Sequence, residues 1–266
     1  MPREYTYGPF QSRRLGLSLG VNVLSYFKLC TFNCVYCEIG LTAKDNLVSP
    51  NFRIRAPPSP NFRKELISIL KYVPHLNSIT FGYNGEPTLN ENLLEFLNIA
   101  TEVRDKLNWT KERPKLTLFT NSSTLHFEEI RQRVKNFELI LAKLDAGNID
   151  DFKRTNRPHH EVPNFETIVN SLVKLKQEMP ENHKLAIQTL IYDSYNEDFI
   201  PNDNSKNIID VAQTLKKIKP HIIQIYSTAR IPAEYFVFSI DDKRKKEIAS
   251  IFKEVINDDK IEINIY

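Results

Sequence analysis

All three cysteines of the chain lie in the segment Cys30-Thr31-Phe32-Asn33-Cys34-Val35-Tyr36-Cys37. Thiolate is a soft ligand that selects zinc or iron-sulfur clusters. Three thiolates leave a four-coordinate site one ligand short. On a four-iron cube that shortfall is one iron with an open position, where a substrate can meet a redox-active metal directly. Two other readings of the loop compete with this one. A disulfide would strand the third thiol, and Met1-Pro2-Arg3-Glu4 has none of the apolar character of a secretory leader. A structural zinc site would need a fourth ligand such as His126 or His159 from far along the chain, and such sites usually pair their ligands across two separated loops.

Residues that position such a loop must come from a large core. The chain has 266 residues, 41% hydrophobic and 26% charged, which suits one α/β domain over residues 1–266. An N-terminal extension is expected over about residues 1–18, and a C-terminal helix and tail over about 240–266. No apolar run is long enough to cross a membrane, and a net charge of +3 does not by itself imply nucleic-acid binding. Exposed thiols without a leader point to the cytoplasm.

From Asn61 onward β-rich runs alternate with amphipathic runs. Helices are predicted at Phe62 to Val73 with Asn61 as cap, after Asn90 through Leu107, near Phe127 to Val134, at Phe165 to Met179 and at Ile208 to Ile218. Strands are predicted at Gly20 to Phe27, Ser78 to Phe81, Leu116 to Phe119, Leu139 to Leu144, Leu185 to Ile191 and His221 to Tyr226. Three helices stop near Pro74, Pro180 and Pro220, each shortly before a strand. Six βα units predict a parallel sheet closed only part of the way into a barrel, although periodicity alone leaves a doubly wound sheet open. Parallel barrels carry their chemistry at the carboxyl ends of the strands. The polar segments Asn84-Gly85-Glu86-Pro87, Thr120-Asn121-Ser122, Asp145-Ala146-Gly147, Asp193-Ser194 and Ser227-Thr228 each follow a predicted strand, as the cysteine loop follows the first.

The CxxxCxxC spacing with Tyr36 before the last cysteine resembles the cluster loop of the radical S-adenosylmethionine (SAM) superfamily. Four further segments, Gly8 to Gly16, Gly85 to Leu89, Arg154 to His159 and Ile231 to Glu234, are similar to its compact Fe-S oxidoreductase branch grouped with wyosine (tRNA imidazo-guanosine) synthetases. The resemblance implies a partial (βα)6 TIM-like barrel of the radical SAM type. It implies that Cys30, Cys34 and Cys37 hold a 4Fe-4S cluster whose fourth iron is chelated by S-adenosyl-L-methionine. One electron would then cleave the sulfonium to a 5'-deoxyadenosyl radical that abstracts hydrogen. The cofactor supplies this chemistry and the protein supplies orientation and dryness.

The resemblance also assigns cofactor contacts. Asn84, Gly85, Glu86 and Pro87 correspond to the turn that receives the SAM amino group, with Asn84 where the strict motif has glycine. Tyr36 is expected to set its backbone near adenine, and Asn121 to bond the methionine moiety. Lys143 or Asp145 is expected to meet the ribose or the carboxylate, and Tyr226 and Ser227 the adenine region. Gln188, a polar residue in an apolar run, needs a buried partner, either the ribose or a neighbouring strand. No catalytic acid, base or quenching residue is identifiable.

The substrate is less legible. Basic groups at Arg13-Arg14, at Arg53, Arg55, Arg63 and Lys64, and at Lys153, Arg154 and Arg157 would suit tRNA if they converged on the barrel mouth. The competing enzyme reading is an activase that forms a glycyl radical on a partner enzyme. A non-catalytic zinc or Fe-S interaction protein would need the cysteines but no SAM pocket. Any enzyme reading needs an external one-electron donor of the ferredoxin or flavodoxin kind, because the chain has no further cysteines for a second cluster.

Overall fold

The structure is a computed structural model that describes residues 3–24 and 26–266. Met1 and Pro2 of the leader argument, and Ser25 of the first predicted strand, lie outside the described residues.

The chain opens with an antiparallel hairpin of β1 (Thr6–Ser12) and β2 (Gly16–Val21). The cysteine loop leads to α1 (Pro60–Leu70) and then to β3 (Ser78–Phe81). Next come α2 (Leu93–Asp105), β4 (Lys115–Thr120), α3 (Glu128–Val134) and β5 (Leu139–Lys143). Two helices follow, α4 (Ile149–Asn156) and α5 (Phe165–Glu178), before β6 (Lys184–Leu190) and the short β7 (Tyr192–Ser194). The chain ends with α6 (Ser205–Ile218), β8 (Ile222–Tyr226), β9 (Val237–Ser239), α7 (Asp242–Ile256) and β10 (Glu262–Ile265).

One sheet takes the order β1-β2-β3-β4-β5-β6-β8-β10, and every pair from β2 to β10 is parallel. Strands that neighbour one another in chain order, each returned by a helix, make an open barrel of six βα units and not a doubly wound sheet. Strand alternation divides its faces. Leu19, Ile79, Leu118, Ile140, Ile187 and Ile223 point outward into one continuous core with Phe62, Leu66, Phe96, Leu172 and Leu215 of the helices. Each such fully buried aliphatic or aromatic side chain contributes about 1.5–3 kcal/mol, which fixes the strand ends and so the loops between them. The inner face is partly polar. Ser18 and Thr80 share a hydrogen bond of 2.7 Å, and Ser78 donates to Thr117 at 2.9 Å.

Several boundaries differ from expectation. The first parallel strand ends at Val21, not Phe27. The cap of α1 is Ser59, whose side chain accepts from the Asn61 amide, and Asn61 lies inside the helix. The expected N-terminal extension contributes β1, which edges the sheet, and the C-terminal tail adds β10 at the other edge. The Asp193-Ser194 segment belongs to β7, which pairs antiparallel with β9. Helix α4 was not foreseen. It has two turns and mostly polar residues, and is started by Asn148, whose side chain accepts from the Asp151 amide.

Candidate active site

The cysteine loop lies across the carboxyl ends of the strands, and backbone hydrogen bonds clamp it on both sides. Leu29 N–H donates to Asn84 O at 2.8 Å, and Glu86 N–H donates to Leu29 O at 3.0 Å. Gly85 sits in this bridge at φ +122°, and a Cβ there would fall 1.8 Å from the Leu29 carbonyl oxygen, so the position requires glycine. On the other side Asn33 N–H donates to Asn156 O, Val35 N–H to Thr155 O and His159 N–H to Thr31 O. Glu234 N–H closes on Val35 O, and the Glu234 carboxylate pairs with Arg157.

Each sulfur has its own N–H donor, and the three donors come from different parts of the chain. Asn121 Nδ2 lies 3.4 Å from Cys30 Sγ, Asn156 Nδ2 lies 3.4 Å from Cys34 Sγ, and Lys28 Nζ lies 3.2 Å from Cys37 Sγ. Donors of this kind favour sulfur that carries negative charge. Without a metal Cys30 and Cys34 are held as thiols. Burial, and then the neighbouring Cys34, push Cys30 up to about 12, and burial with Cys37 nearby pushes Cys34 up to about 11. Among the described residues no group of three or more His, Cys, Asp and Glu side chains is arranged to hold a single metal ion.

Glu86 is 1% exposed, so it is not a solvent-facing turn residue. Its Oε1 accepts from Thr88 N, Thr88 Oγ1 and Thr120 Oγ1, and its Oε2 accepts from Asn121 N at 2.6 Å. The carboxylate thereby holds the Asn121 turn that reaches Cys30. Burial raises its pKa, and these donors act against the rise. Pro87 opens the buried turn that follows.

Asp145, 2% exposed, is the hub beside Cys34. Its Oδ1 accepts from Leu190 N at 2.8 Å and pairs with Lys143 Nζ at 2.8 Å. Its Oδ2 accepts from the Tyr36 hydroxyl and, at 3.2 Å, from Asn156 Nδ2. Lys143 Nζ also bonds Tyr226 OH at 2.7 Å and stands 4.8 Å from the centroids of both the Tyr36 and the Tyr226 rings. Burial acts to lower the Lys143 pKa, but Asp145 and Tyr226 outweigh it and the net shift is upward. Burial, followed by the Asp145 charge, pushes the Tyr36 hydroxyl well above its ordinary value. Lys143 is therefore a fixed cation paired with Asp145, not a neutral amine.

The structure thus gathers Tyr36, Asn84, Gly85, Glu86, Asn121, Lys143, Asp145 and Tyr226 around the cysteine loop. Gln188 lies deeper, where its Nε2 donates to Gln224 Oε1 at 2.8 Å, so its partner is a neighbouring strand. Ser227 is committed to the frame, donating to Ile191 O at 2.6 Å and accepting from Ile240 N. Sequence reasoning missed Lys28 and Asn156. Asn156 stands within the Arg154 to His159 segment already singled out, and Lys28 is a cation two residues before the first cysteine.

The basic groups do not form one face. Arg13 and Arg14 occupy the β1–β2 turn at the amino ends of the parallel strands, opposite the cysteine loop. Arg55 pairs with Glu91, Arg63 with Glu102, Arg154 with Asp151 and Arg157 with Glu234. No described helix is long and apolar enough to cross a membrane.

No family model matches the chain. It is 28% identical over 266 residues to the UPF0026 protein MJ1312 of Methanocaldococcus jannaschii, covering 97% of this chain and 74% of that protein. It is 27% identical over 247 residues to a protein of Brachyspira hyodysenteriae named GTPase Obg, covering 93% of this chain but 33% of that protein, so it spans only a third of that relative. The fold is similar to the structure of TYW1 with a lysine-pyruvate adduct bound, with a TM-score of 0.60 at 15% identity over 89% of this chain and 73% of that one. It is similar to Streptococcus suis SuiB bound to S-adenosylmethionine, with a TM-score of 0.59 at 12% identity over 90% of this chain and 48% of that one. Native anSMEcpe with bound AdoMet gives 0.60 at 15% identity over 92% and 63%. At these identities the likeness is one of fold, the partial barrel described above.

Proposed function

We propose that this protein is a radical SAM enzyme in which Cys30, Cys34 and Cys37 hold a 4Fe-4S cluster. The observation that carries the reading is the set of three sulfurs at the carboxyl ends of the parallel strands, each with a separate N–H donor in Asn121, Asn156 and Lys28. The donor set fits the group: three soft ligands, with N–H groups aimed at the sulfurs to offset cluster charge. When bound with SAM, such a cluster supplies one electron that cleaves the sulfonium and yields a radical able to take hydrogen from an unactivated C–H bond.

The chain's own residues bind and orient. The Asn84 to Pro87 turn, fixed against Leu29, offers its backbone edge to the SAM amino group. The Glu86 side chain supports this turn from behind. Lys143, fixed as a cation by Asp145 and Tyr226, is suited to a carboxylate. The Tyr36 ring lies against the ammonium and the Tyr226 hydroxyl accepts from it, which narrows the water-accessible space around it. The electron must come from an external donor such as a ferredoxin or flavodoxin. The chain's remaining residues include no further cysteine.

tRNA base modification is the finer reading drawn from the sequence resemblance, and the dispersed, largely paired arginines give it no basic face. Glycyl-radical formation on a partner enzyme needs no such face. Metal analysis of protein prepared without oxygen tests the shared reading. About four iron and four sulfide per chain are expected, and stoichiometric zinc without sulfide would overturn it in favour of a zinc-binding interaction protein.

A further inference from the structure

The N-terminal hairpin places an arginine inside the barrel. Arg14 stands in the turn between β1 and β2, and its guanidinium carbon lies 4.1 Å from the centroid of the Tyr226 ring. Lys143 stands 4.8 Å from the same centroid and is neutralised by Asp145. Arg14 has no such acid. Its Nε and Nη1 are buried and have no hydrogen-bond partner, a rare condition among the described side chains. Contact with a ring face compensates a guanidinium less than hydrogen bonds to an anion would, and buried charged donors left unpaired are costly. The residue also lines a cavity of about 480 Å³ at the amino ends of the strands, where Lys111, Arg113, Lys115 and Lys184 outnumber Glu112 and Glu262.

We infer that Arg14 is the anion-binding residue of the barrel interior, and that the substrate is a small molecule whose carboxylate or phosphate group pairs with it. A guanidinium presents a planar fork of donors that matches either oxyanion. The Tyr226 ring carries that fork, and the hydroxyl of the same tyrosine accepts from Lys143, whose partner Asp145 lies beside the cysteine loop. An anion at Arg14 would therefore sit beneath the Tyr226, Lys143 and Asp145 group on which the cysteine loop rests. The anion site stands on the geometry alone; only its being the substrate's site rests on the radical SAM reading.

Protein prepared without oxygen would be titrated with inorganic phosphate and, separately, with acetate, against chloride at matched ionic strength. Binding would be read by calorimetry and by thermal unfolding. Saturable binding of at least one of the two anions is expected, and the preferred one tells phosphate from carboxylate. Arg14→Met should weaken it at least tenfold, Arg14→Lys should restore part of it, and Arg13→Met, on the exposed neighbour, should leave it unchanged. Circular dichroism reports whether each variant is folded, and Arg14→Lys keeps the test decisive if Arg14→Met is not. Absence of saturable binding in the wild type, or equal loss in the Arg13 and Arg14 variants, would overturn the inference. Measuring SAM cleavage by the wild type in parallel separates the two claims, because an anion site without cleavage removes the radical reading and cleavage without an anion site removes only this one.

Discussion

Asn156 reaches Cys34 and Asp145 with one amide nitrogen, lying 3.4 Å from the sulfur and 3.2 Å from the carboxylate oxygen. Together with the Tyr36 hydroxyl, which donates to the same carboxylate, this side chain at the end of α4 joins the ligand loop to the buried charge hub of the barrel. A shift at either one must be felt at the other.

Asn156→Leu should remove the donor to Cys34 while keeping the number and branching of the side-chain heavy atoms. Outer-shell partners of metal ligands typically change affinity or activity by about 10–100-fold, and a loss in that range is expected for the cluster. Competition with an iron chelator under reducing conditions measures it. Retention equal to wild type would show that the contact does not support the ligand.

Gly85→Ala should be among the most damaging small substitutions in the chain. The added carbon would fall 1.8 Å from the Leu29 carbonyl oxygen, in a backbone conformation that L side chains rarely adopt. Strained replacements of this kind cost more than about 1 kcal/mol from the backbone alone, and the clash adds to it. Urea unfolding of the metal-free protein reads the cost. The Leu29 bridge positions Cys30, so cluster content should fall with stability.

Asp145→Asn should destabilise the fold by about 3–5 kcal/mol, the usual cost of breaking a buried ion pair by removing one partner. The carboxylate accepts from the Leu190 amide, Tyr36 and Asn156 as well as pairing with Lys143, and an amide cannot accept from all of them. Denaturant titration checks the magnitude. A change under about 1 kcal/mol would show that water or a rearranged Lys143 replaces the pair without loss.

Stability should fall as the solution is acidified below the ordinary histidine value of 6.5. Burial is the leading cause that lowers the pKa of His126, His159 and His221, so the unfolded chain binds their protons more tightly. The favourable contribution is complete above 6.5 and is lost as pH falls toward the folded-state values. At His221 burial is joined by the nearby Lys176 and Lys184 charges, and its Nδ1, placed to accept from Leu185 N at 2.9 Å, is unprotonated in that contact. Unfolding at about pH 8 and about pH 5.5 should differ less in His221→Asn than in the wild type.

Much of the frame was legible because the outer face of each strand and the inner face of each helix repeat at their own periods. Leu116 and Leu118 on β4 and Leu172 and Leu175 on α5 are such positions. Edge strands were not legible. β1 carries Gly8-Pro9 within it, and the four residues of β10 alternate too briefly to stand out. Helix α4 was hidden for the same reason, with only Ile149 and Phe152 apolar across two turns. In the candidate site, residue type singled out the cysteines and the Gly85-Glu86 turn, which the structure brings together. It could not show that Glu86 would turn inward to Asn121, or that Gln188 would be satisfied by Gln224, because both depend on which strands neighbour each other.

Reductive cleavage of SAM tests the central claim most directly. Cluster-loaded protein, reduced with dithionite and mixed with SAM, should release 5'-deoxyadenosine, and its reduced-state EPR signal should change when SAM is added. Cys34→Ala should show neither. A fully loaded, reducible cluster that leaves SAM intact and whose EPR signal ignores it would contradict the account.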